Sequence, residues 1–337
     1  MSLIKKKTIN IIKNNKMVKS SNSFQTLIQF VLILSLMISC SSTYENDEIL
    51  IVENENENEN EFEEIQFGVN EYGIIYQGLD RDFIVYVPES YSHESSSSVV
   101  FVYHGFGGSN DQIMYYSDFN TISERENFII VYPQGSNFWG YPHWNVGGWT
   151  NGSATDDVGL TEFLIELISQ EYNINEEKIY ATGMSNGGFF SFLLACQSSE
   201  KFAAVASVTG SMTIETFNNC NPQREVPVLQ LHGTQDPIVQ YYGNSSIGSI
   251  DISEAISYWK TNNYCSNDPI ISQLNDSNPN DNFWIEKILY DDGYNGSVVE
   301  HYKVYGGEHV WFNNQDINSS ELIWEFFSNY DLNGFIN

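Results

Sequence analysis

The stretch KIYATGMSNGGFFSFLLAC, residues 178–196, combines a strand pattern, a glycine-rich bend and a helix pattern. Residues 179–182 are apolar and β-favouring, and apolar side chains recur at helical spacing across residues 189–196. Between them, residues 183–187 match the G-x-S-x-G nucleophile elbow, in which a serine occupies a strained strand-to-helix turn. The sequence therefore predicts a strand, a one-residue bend at Ser185 and a helix.

This geometry would give Ser185 two chemical properties. Its hydroxyl would stand clear of the sheet, and the free N–H groups and positive dipole end of the following helix would point at an oxyanion formed there. A glycine-rich turn with an incidental serine is the alternative interpretation. The strand before, the helix after and the additional Gly188, which permits close helix packing, favour the elbow.

A second glycine-rich turn also follows a predicted strand. Residues 99–103 form the uninterrupted apolar run that a parallel strand buried on both faces requires, and the chain continues as HGFGG, residues 104–108. Glycines in such a turn let a backbone N–H point inward without obstruction by side chains, as an oxyanion hole needs. An ordinary connection between a strand and a helix would give the same pattern, so both interpretations stay open.

Strand and helix patterns alternate along most of the chain. Further strands are predicted at residues 74–76, 82–88, 128–133, 203–208, 226–231, 284–290 and 298–305. Helices are predicted near residues 120–127 and at residues 157–172, 253–262 and 320–330. For the adjacent Asp156 and Asp157, helix capping is favoured over a role as catalytic carboxylates. The alternation predicts an α/β fold, with a doubly wound, mostly parallel sheet and helices on both faces.

Two further chemistry-bearing residues follow predicted strands. Asp236 comes just after the strand at 226–231, and His309 comes on the glycine-rich turn that leaves the last strand. Open α/β sheets place their chemistry beyond the carboxyl ends of strands. Among six histidines only His309 lies late in the chain on such a turn. The order Ser185, Asp236, His309 is the nucleophile, acid, histidine order of α/β-hydrolases.

The segment QGSNFWGYPHWNVGGWTNGSAT, residues 134–155, is too polar to form core but is rich in aromatic residues and glycine. Long loops of this kind often carry function. Its three tryptophans, Trp139, Trp144 and Trp149, could wall a cleft for a flat aromatic or sugar ring. They could equally fix a long loop to the surface, and the sequence does not decide between these roles.

The charge of the chain restricts its partners. The formal net charge of the 337 residues is -30, and from residue 65 onward eight basic residues face 34 acidic ones. Such a protein repels phosphate backbones, anionic membrane surfaces and polyanionic substrates. We therefore expect no nucleic-acid partner.

The N-terminal region predicts export and anchoring. Residues 1–39 read as a lipoprotein-type signal peptide whose apolar run, residues 30–38, is too short to span a bilayer, and Met17 is an alternative start. The ending before Cys40 resembles the bacterial lipobox, which makes Cys40 the expected lipidated residue. Residues 40–66 predict a disordered acidic tether, and residues 67–337 a single catalytic domain. The expected location is the bacterial cell envelope, at the outer membrane and facing either side, with membrane contact through the lipid anchor only.

The motifs HGFGG, DDVGL, YATGMSNGG, PVLQLHGTQDPIV and GGEHVWF occur in this order. Together they resemble the extracellular polyhydroxybutyrate depolymerase and feruloyl esterase family of α/β-hydrolases, over roughly residues 72–330. The resemblance implies an α/β-hydrolase fold that needs no cofactor and no metal. It implies Ser185 as nucleophile, His309 as general base and then acid, and Asp236 as the group that orients it.

The same resemblance implies further roles. Phe106 and Asn186 would supply the oxyanion-hole N–H groups, and Trp311 matches a position near the acyl pocket. We expect Trp311 and Trp149 to contact substrate. The resemblance also favours a disulfide between Cys196 and Cys220, whereas buried free thiols are the alternative reading of these cysteines.

These observations predict a lipid-anchored serine esterase that acts on an ester-bearing polymer or oligomer. Feruloyl or acetyl esters of plant or algal polysaccharide are the favoured substrates, and polyhydroxybutyrate or another polyester is the alternative. A serine peptidase and a non-catalytic binding lipoprotein belong to different functional classes. Peptidases of related fold normally carry an additional propeller domain, and the complete Ser185, Asp236 and His309 set disfavours a mere binding role.

Overall fold

The structure, a computed structural model, describes residues 65–336 together with residues 7 and 8. The predicted lipidation site Cys40, the tether up to residue 64 and nearly all of the predicted signal peptide lie outside the described residues. Within the part that is described, no helix is long and apolar enough to cross a membrane.

Nine strands precede residue 209, and three α-helices precede β8. The strands are β1 Lys7–Thr8, β2 Gly68–Tyr76, β3 Leu79–Val87, β4 Ser97–Tyr103, β5 Phe128–Pro133, β6 Ser136–Phe138, β7 Tyr141–His143, β8 Ile174–Met184 and β9 Ala204–Val208. The α-helices before β8 are α1 Asn110–Ser117, α2 Phe119–Glu126 and α3 Asp157–Glu171, with a short 3-10 helix at Gly148–Thr150.

The second half completes the sheet and its covering helices. The remaining α-helices are α4 Asn186–Gln197, α5 Ile214–Asn219, α6 Ile252–Asn262 and α7 Ser319–Phe327, with a 3-10 turn at Tyr294–Gly296. The remaining strands are β10 Val228–Gly233, β11 Ile270–Gln273, β12 Trp284–Tyr290, β13 Val299–Tyr305, β14 Tyr330–Asp331 and β15 Gly334–Phe335.

One sheet organises the described residues. Its strand order is β1-β2-β3-β5-β4-β8-β9-β10-β13-β12-β11, and the six strands from β5 to β13 run parallel. Strands β2 and β3 at one side, and β12 and β11 at the other, pair antiparallel. The chain between β10 and β13 passes through α6, β11 and β12, yet β10 and β13 are direct neighbours. The sheet therefore brings the turns after β10 and β13 to one edge.

Helices cover both faces because the central strands are apolar on both sides. In β4, Val99, Phe101 and Tyr103 belong to one buried cluster, whereas Val100 and Val102 belong to the other. This separation follows from the period of two along a strand. Helices α3, α4 and α6 bury side chains in the first cluster, and α1, α2 and α7 bury side chains in the second. The doubly wound α/β-hydrolase architecture is confirmed.

The structure also differs from the sequence prediction in several elements. Helix α1 and the hairpin β6–β7 were not expected, and β8 begins five residues before its predicted start at 179. Helix α7 ends at Phe327 rather than at residue 330 because the chain then enters β14. Strands β5 and β12 have the predicted bounds.

Candidate active site

Ser185 lies between β8 and α4 in a backbone conformation that few non-glycine residues adopt. Its φ is 54° and its ψ is -119°, and its backbone N–H donates to Val208 O at 2.8 Å. Helix α4 begins at the next residue, Asn186, where the first backbone N–H groups have no acceptor within the helix. The predicted elbow geometry is therefore present: a strained single residue separates strand from helix.

The glycines around Ser185 allow this tight turn. A Cβ at Gly187 would collide with the carbonyl oxygen of Tyr103 on the neighbouring strand β4. A Cβ at Gly183 would lie 2.6 Å from both the same carbonyl oxygen and the Gly187 carbonyl carbon. Helix α4 can thus pack backbone to backbone against the sheet only because these positions carry no side chain.

His309 and Asp236 form a hydrogen-bonded pair. His309 Nδ1 donates to Asp236 Oδ2 at 2.7 Å. The other carboxylate oxygen accepts the backbone N–H groups of Ile238 and Val239, each at 2.9 Å. The Asp236 side chain is fully buried, whereas 12% of the His309 side chain is exposed. The carboxylate therefore fixes the orientation of the imidazole and leaves Nε2 as the nitrogen that can exchange a proton.

The turns that carry this pair are joined to each other. Gln235 N–H donates to Gly307 O at 2.9 Å, and Gly306 N–H donates to the Thr234 hydroxyl at 3.2 Å. These bonds continue the parallel pairing of β10 with β13 beyond the last paired residues. Asp236 and His309 are far apart in the sequence, and the adjacent ends of β10 and β13 bring them together.

His232 is a second imidazole near Asp236. Its Nε2 donates to Val239 O at 2.7 Å and lies 3.5 Å from Asp236 Oδ2, while its Nδ1 accepts from the Gln230 side-chain amide at 3.0 Å. Complete burial lowers the pKa of His232. A neutral His232 therefore supports the Asp236 turn through Val239.

Ser185 and His309 line the same cavity, which has a volume of about 470 Å³. Part of its lining comes from the HGFGG turn and helix α1. The lining residues are His104, Gly105, Phe106, Gly108, Ser109, Gln112, Ile113, Tyr116, Met184, Ser185, Ile238 and His309. Apolar atoms make up most of the exposed wall, and Ser185 and His309 are among the polar side chains in it.

The turn around Phe106 has a fixed backbone. Gly108 N–H donates to Gly105 O at 3.0 Å, and Gly107 N–H donates to Pro142 O at 2.8 Å. His104 supports the turn from the core, because its Nδ1 donates to Gly105 O at 2.7 Å and its Nε2 accepts from Gly135 N–H at 2.9 Å. Burial lowers the pKa of His104 to about 4, so the ring stays neutral.

Trp144 connects the Phe106 turn with the start of α4. Its indole N–H donates to His104 O at 2.9 Å, and its backbone exchanges two hydrogen bonds with the Asn186 side chain. Trp144 is fully buried between Tyr103 and Phe190. This tryptophan fixes the loop in place rather than walling a cleft.

The chain matches a known family model over residues 76–311, which is more than half of its length. The description of that family is "Putative esterase". The chain belongs to this family. Its resemblance to the feruloyl esterase group of α/β-hydrolases, inferred from the motifs, is thereby confirmed.

Two relatives of this chain are named for the hydrolysis of esters. The chain is 27% identical over 262 residues to a bifunctional acetylxylan esterase/xylanase from Neocallimastix patriciarum, covering 77% of this chain and 34% of the relative. It is 25% identical over 261 residues to feruloyl esterase B from Piromyces equi, covering 75% of this chain and 46% of the relative. The chain thus spans less than half of the length of each.

A solved structure with the same fold is the acetyl xylan esterase from Aspergillus awamori. The TM-score is 0.54 at 17% sequence identity, and the match covers 74% of this chain and 94% of that one. At this identity the likeness concerns the fold alone.

Within this family member, Trp311 and Trp149 occupy positions outside the cavity lining given above. Trp311 is 3% exposed; its indole N–H donates to the Ser320 hydroxyl at 3.0 Å, and its backbone N–H donates to Tyr116 OH at 3.1 Å. Trp311 is therefore buried and bonded to Tyr116, a residue of the cavity lining, and its contact with substrate remains a prediction. Trp149 packs edge-on against Phe189 at 5.0 Å, and its substrate role remains a prediction.

The sequence did not single out several cavity residues. Met184 and Ile238 adjoin residues that the motifs had identified, since they lie one and two positions from Ser185 and Asp236. Their closeness in sequence to Ser185 and Asp236 could have predicted that they line the cavity. Ile113 and Tyr116 lie on α1, which carries little apolar periodicity and gave no such signal.

Asp156 and Asp157 have structural roles at the start of α3. Asp156 is the N-cap, because its side chain accepts from Gly159 N–H at 2.9 Å. Asp157 is buried and forms an ion pair with Arg81 at 2.7 Å. The capping interpretation thus holds for Asp156, and Asp157 anchors the helix to β3.

The predicted disulfide between Cys196 and Cys220 is present. It joins the last turn of α4 to the end of α5. Cys265 is a free, half-buried thiol whose pKa burial raises to about 11. Among the described residues, no cluster of three or more His, Cys, Asp or Glu side chains could hold a metal ion.

Proposed function

We propose that this chain hydrolyses carboxylic esters, with Ser185, His309 and Asp236 as its catalytic residues. The observation that carries the proposal is the cavity lined by both Ser185, strained at its elbow, and His309, held by buried Asp236. Nucleophilic ester hydrolysis needs a serine, a base within reach and a group that orients the base.

In the proposed reaction, Ser185 Oγ attacks the ester carbonyl carbon while His309 Nε2 takes the hydroxyl proton. Asp236 stabilises the resulting imidazolium through Nδ1. The carbonyl oxygen becomes an oxyanion that accepts from the backbone N–H groups of Phe106 and Asn186. His309 then gives its proton to the leaving alcohol, and an acyl-enzyme remains. Water activated by His309 attacks this ester, releases the acid and restores Ser185.

For the substrate we propose feruloyl or acetyl esters of plant or algal polysaccharide. The two relatives are named as an acetylxylan esterase and a feruloyl esterase, and both align with three quarters or more of this chain. The apolar wall contributed by Phe106, Ile113, Met184 and Ile238 suits an acyl group better than a charged group. The polyester alternative has no comparable support from these relatives.

We also propose that the chain is exported and lipid-anchored through Cys40 at the bacterial outer membrane. Support comes from the short apolar run at residues 30–38 directly before the lipobox-like ending, followed by the acidic segment. The Cys196–Cys220 disulfide is compatible with an oxidising compartment. Cys40→Ser in a native-type host should move the protein from the membrane fraction to the soluble fraction; unchanged membrane recovery would refute the anchor.

The decisive experiment compares wild type with Ser185→Ala on methyl ferulate, acetylated xylan and a polyester suspension. Without the nucleophilic oxygen no acyl-enzyme forms, so activity should fall by ~10³-fold or more. Ser169→Ala, at a partly exposed position of helix α3, is the matched control and should keep full activity. Activity of Ser185→Ala within tenfold of wild type would remove Ser185 from the mechanism. Wild-type hydrolysis of the polyester alone would overturn the substrate assignment.

A further inference from the structure

The hairpin β6–β7 presents a tryptophan at its tip. Its two-residue turn consists of Trp139 and Gly140, with φ angles of 52° and 89°. Turns of this type favour Asn or Gly at the first position, because a left-handed backbone is unfavourable for a bulky side chain. Trp139 nevertheless occupies it, and 80% of its surface is exposed. Burial in the core therefore does not explain the tryptophan.

The hairpin is held by stacked rings and by a hydrogen bond between its two strands. Phe138 stacks on the Trp139 ring at 4.5 Å and on the His143 ring at 5.0 Å. His143 is buried, and its Nδ1 donates to Ser136 O at 2.7 Å across the hairpin. The Trp139 indole is therefore held in place by its neighbours before a ligand binds, which lowers the entropic cost of binding there.

The hairpin is also joined to the candidate active site. Pro142 O, on the hairpin, accepts the Gly107 N–H of the turn that lines the cavity. The rings of Tyr141 and Phe106 lie 5.6 Å apart, and both are exposed, Tyr141 to 57% and Phe106 to 39%. Phe106 itself lines the cavity that holds Ser185. Exposed aromatic rings thus continue from the mouth of this cavity along the hairpin.

The chemistry of this surface favours an uncharged ligand. Residues 134–155 contain no Asp, Glu, Lys or Arg, so the hairpin offers neither counter-ion nor charge repulsion. The protein as a whole is strongly acidic, which disfavours polyanions. Exposed aromatic faces bind the apolar C–H faces of sugar rings by stacking, and a row of them suits an extended chain of such rings.

We propose that Trp139 and Tyr141 form a binding subsite for the uncharged polysaccharide chain that carries the ester. This subsite deepens the proposed function and rests on it. The acyl group enters the Ser185 cavity, while sugar units beside the esterified one stack on Tyr141 and Trp139. The polymer then makes binding contacts that a small ester lacks. The subsite should therefore lower KM for the polymer and leave KM for the small ester unchanged.

The test removes the indole without disturbing the turn. Trp139→Asn suits this purpose because asparagine tolerates the left-handed conformation, and Trp139→Phe should restore part of the stacking. Tyr294→Ala is the control: this tyrosine is 62% exposed but precedes the amino end of β13, at the opposite edge of the sheet. Each variant is measured on acetylated xylan and on p-nitrophenyl acetate, with Tm as a check of folding.

We expect Trp139→Asn to raise KM for acetylated xylan by roughly five- to tenfold, which corresponds to about 1 kcal/mol of stacking. The values of kcat on the polymer and kcat/KM on p-nitrophenyl acetate should stay within twofold of wild type, as should all values for Tyr294→Ala. An equal loss on both substrates, or no loss on the polymer, would overturn the subsite.

A binding assay separates failure of the subsite from failure of the proposed function. In a Ser185→Ala background, mobility in gels containing deacetylated arabinoxylan, mixed-linkage glucan or polygalacturonate reports binding without catalysis. Retardation by a neutral polymer that Trp139→Asn abolishes supports the subsite even if wild type hydrolyses none of the esters. Retardation by polygalacturonate alone, or by no polymer, contradicts it whatever the esterase assay shows.

Discussion

Asn186 and Trp144 exchange two hydrogen bonds in the core of the protein. Asn186 Oδ1 accepts from Trp144 N–H at 2.7 Å, and Asn186 Nδ2 donates to Trp144 O at 3.0 Å. Asn186 directly follows the candidate nucleophile, and Trp144 lies in the aromatic segment at residues 134–155. The Asn186 side chain therefore holds the long loop against the elbow. The backbone N–H of Asn186 is available at the start of α4.

We predict that Asn186→Ala lowers stability as well as activity. The substitution leaves the Trp144 N–H and C=O buried without partners, and each unsatisfied group costs about 1–3 kcal/mol. Urea denaturation should show a loss of that order, and kcat should fall as the elbow loosens. Asn280→Ala, at an exposed position between β11 and β12, is the control and should change neither. A stable and fully active Asn186→Ala would show that the loop is held by other contacts.

Asp236→Asn should impair the interaction of the carboxylate with the His309 imidazole while leaving the fold intact. Asparagine keeps an oxygen for the N–H groups of Ile238 and Val239, so Tm should change little. It cannot stabilise an imidazolium, and the proposed chemistry should slow by roughly 10³- to 10⁴-fold in kcat. Asp251→Asn, which alters the exposed cap of α6, is the matched control. Retention of more than a tenth of the activity would contradict the role of Asp236.

The buried His301 predicts acid sensitivity of the fold. Its Nδ1 donates to Gln230 O at 3.0 Å and its Nε2 accepts from Tyr241 OH at 2.8 Å, and burial lowers its pKa from 6.5 to about 3. In the folded state His301 thus stays neutral, whereas in the unfolded chain it takes up a proton below about pH 6.5. The free energy of unfolding should then fall by about 1.4 kcal/mol per pH unit from this residue, as pH drops from 6.5 toward 3.

His301→Gln provides the measurement. The variant loses the imidazole that titrates only in the unfolded state, so its free energy of unfolding should depend less steeply on pH between 6 and 4. Its stability at pH 8 should be lower than that of wild type, because the two buried hydrogen bonds are disturbed. Parallel curves for the two proteins over this range would refute the contribution of His301.

The disulfide between Cys196 and Cys220 should stabilise the fold measurably. It closes a loop with a sequence separation of 24 residues, for which loop entropy gives about 3.5 kcal/mol. The double variant Cys196→Ser, Cys220→Ser should have a lower Tm than wild type. A reductant should lower the Tm of wild type but not that of the double variant, which serves as the control. An unchanged Tm after complete reduction would show that the bond is dispensable.

The elements with strong local patterns were the ones that the sequence predicted well. The run FIIVYP, residues 128–133, is apolar throughout, and both its type and its bounds were correct. The elbow was recognisable because strand, glycines and helix all fall within 19 residues around Ser185. Asp236 and His309 were predicted from their places after strands and from their order in the chain, and the structure brings them together because they follow the neighbouring parallel strands β10 and β13.

Other features depend on contacts distant in sequence. The burial of Trp311 comes from Ser320 and Phe119, and that of Trp144 from His104 and Asn186, so composition alone could not separate these tryptophans from exposed Trp139. The hairpin around Trp139 lacks the usual Asn-Gly turn signal, and therefore it read as loop. Helix α1 went unpredicted because its sequence, NDQIMYYS, buries only three side chains.

The adjacency of β10 and β13 makes the site tolerant of added sequence. Gly233 pairs with Val304, so the two strand ends stay together whatever length of chain connects them at the far side of the sheet. Residues 267 and 268, in that connection, are exposed and precede the edge strand β11, near the amino end of β13 and therefore at the edge of the sheet opposite to the site. A protein engineer could insert an affinity label or a complete carbohydrate-binding module between Asn267 and Asp268, while Asp236 and His309 keep their separation.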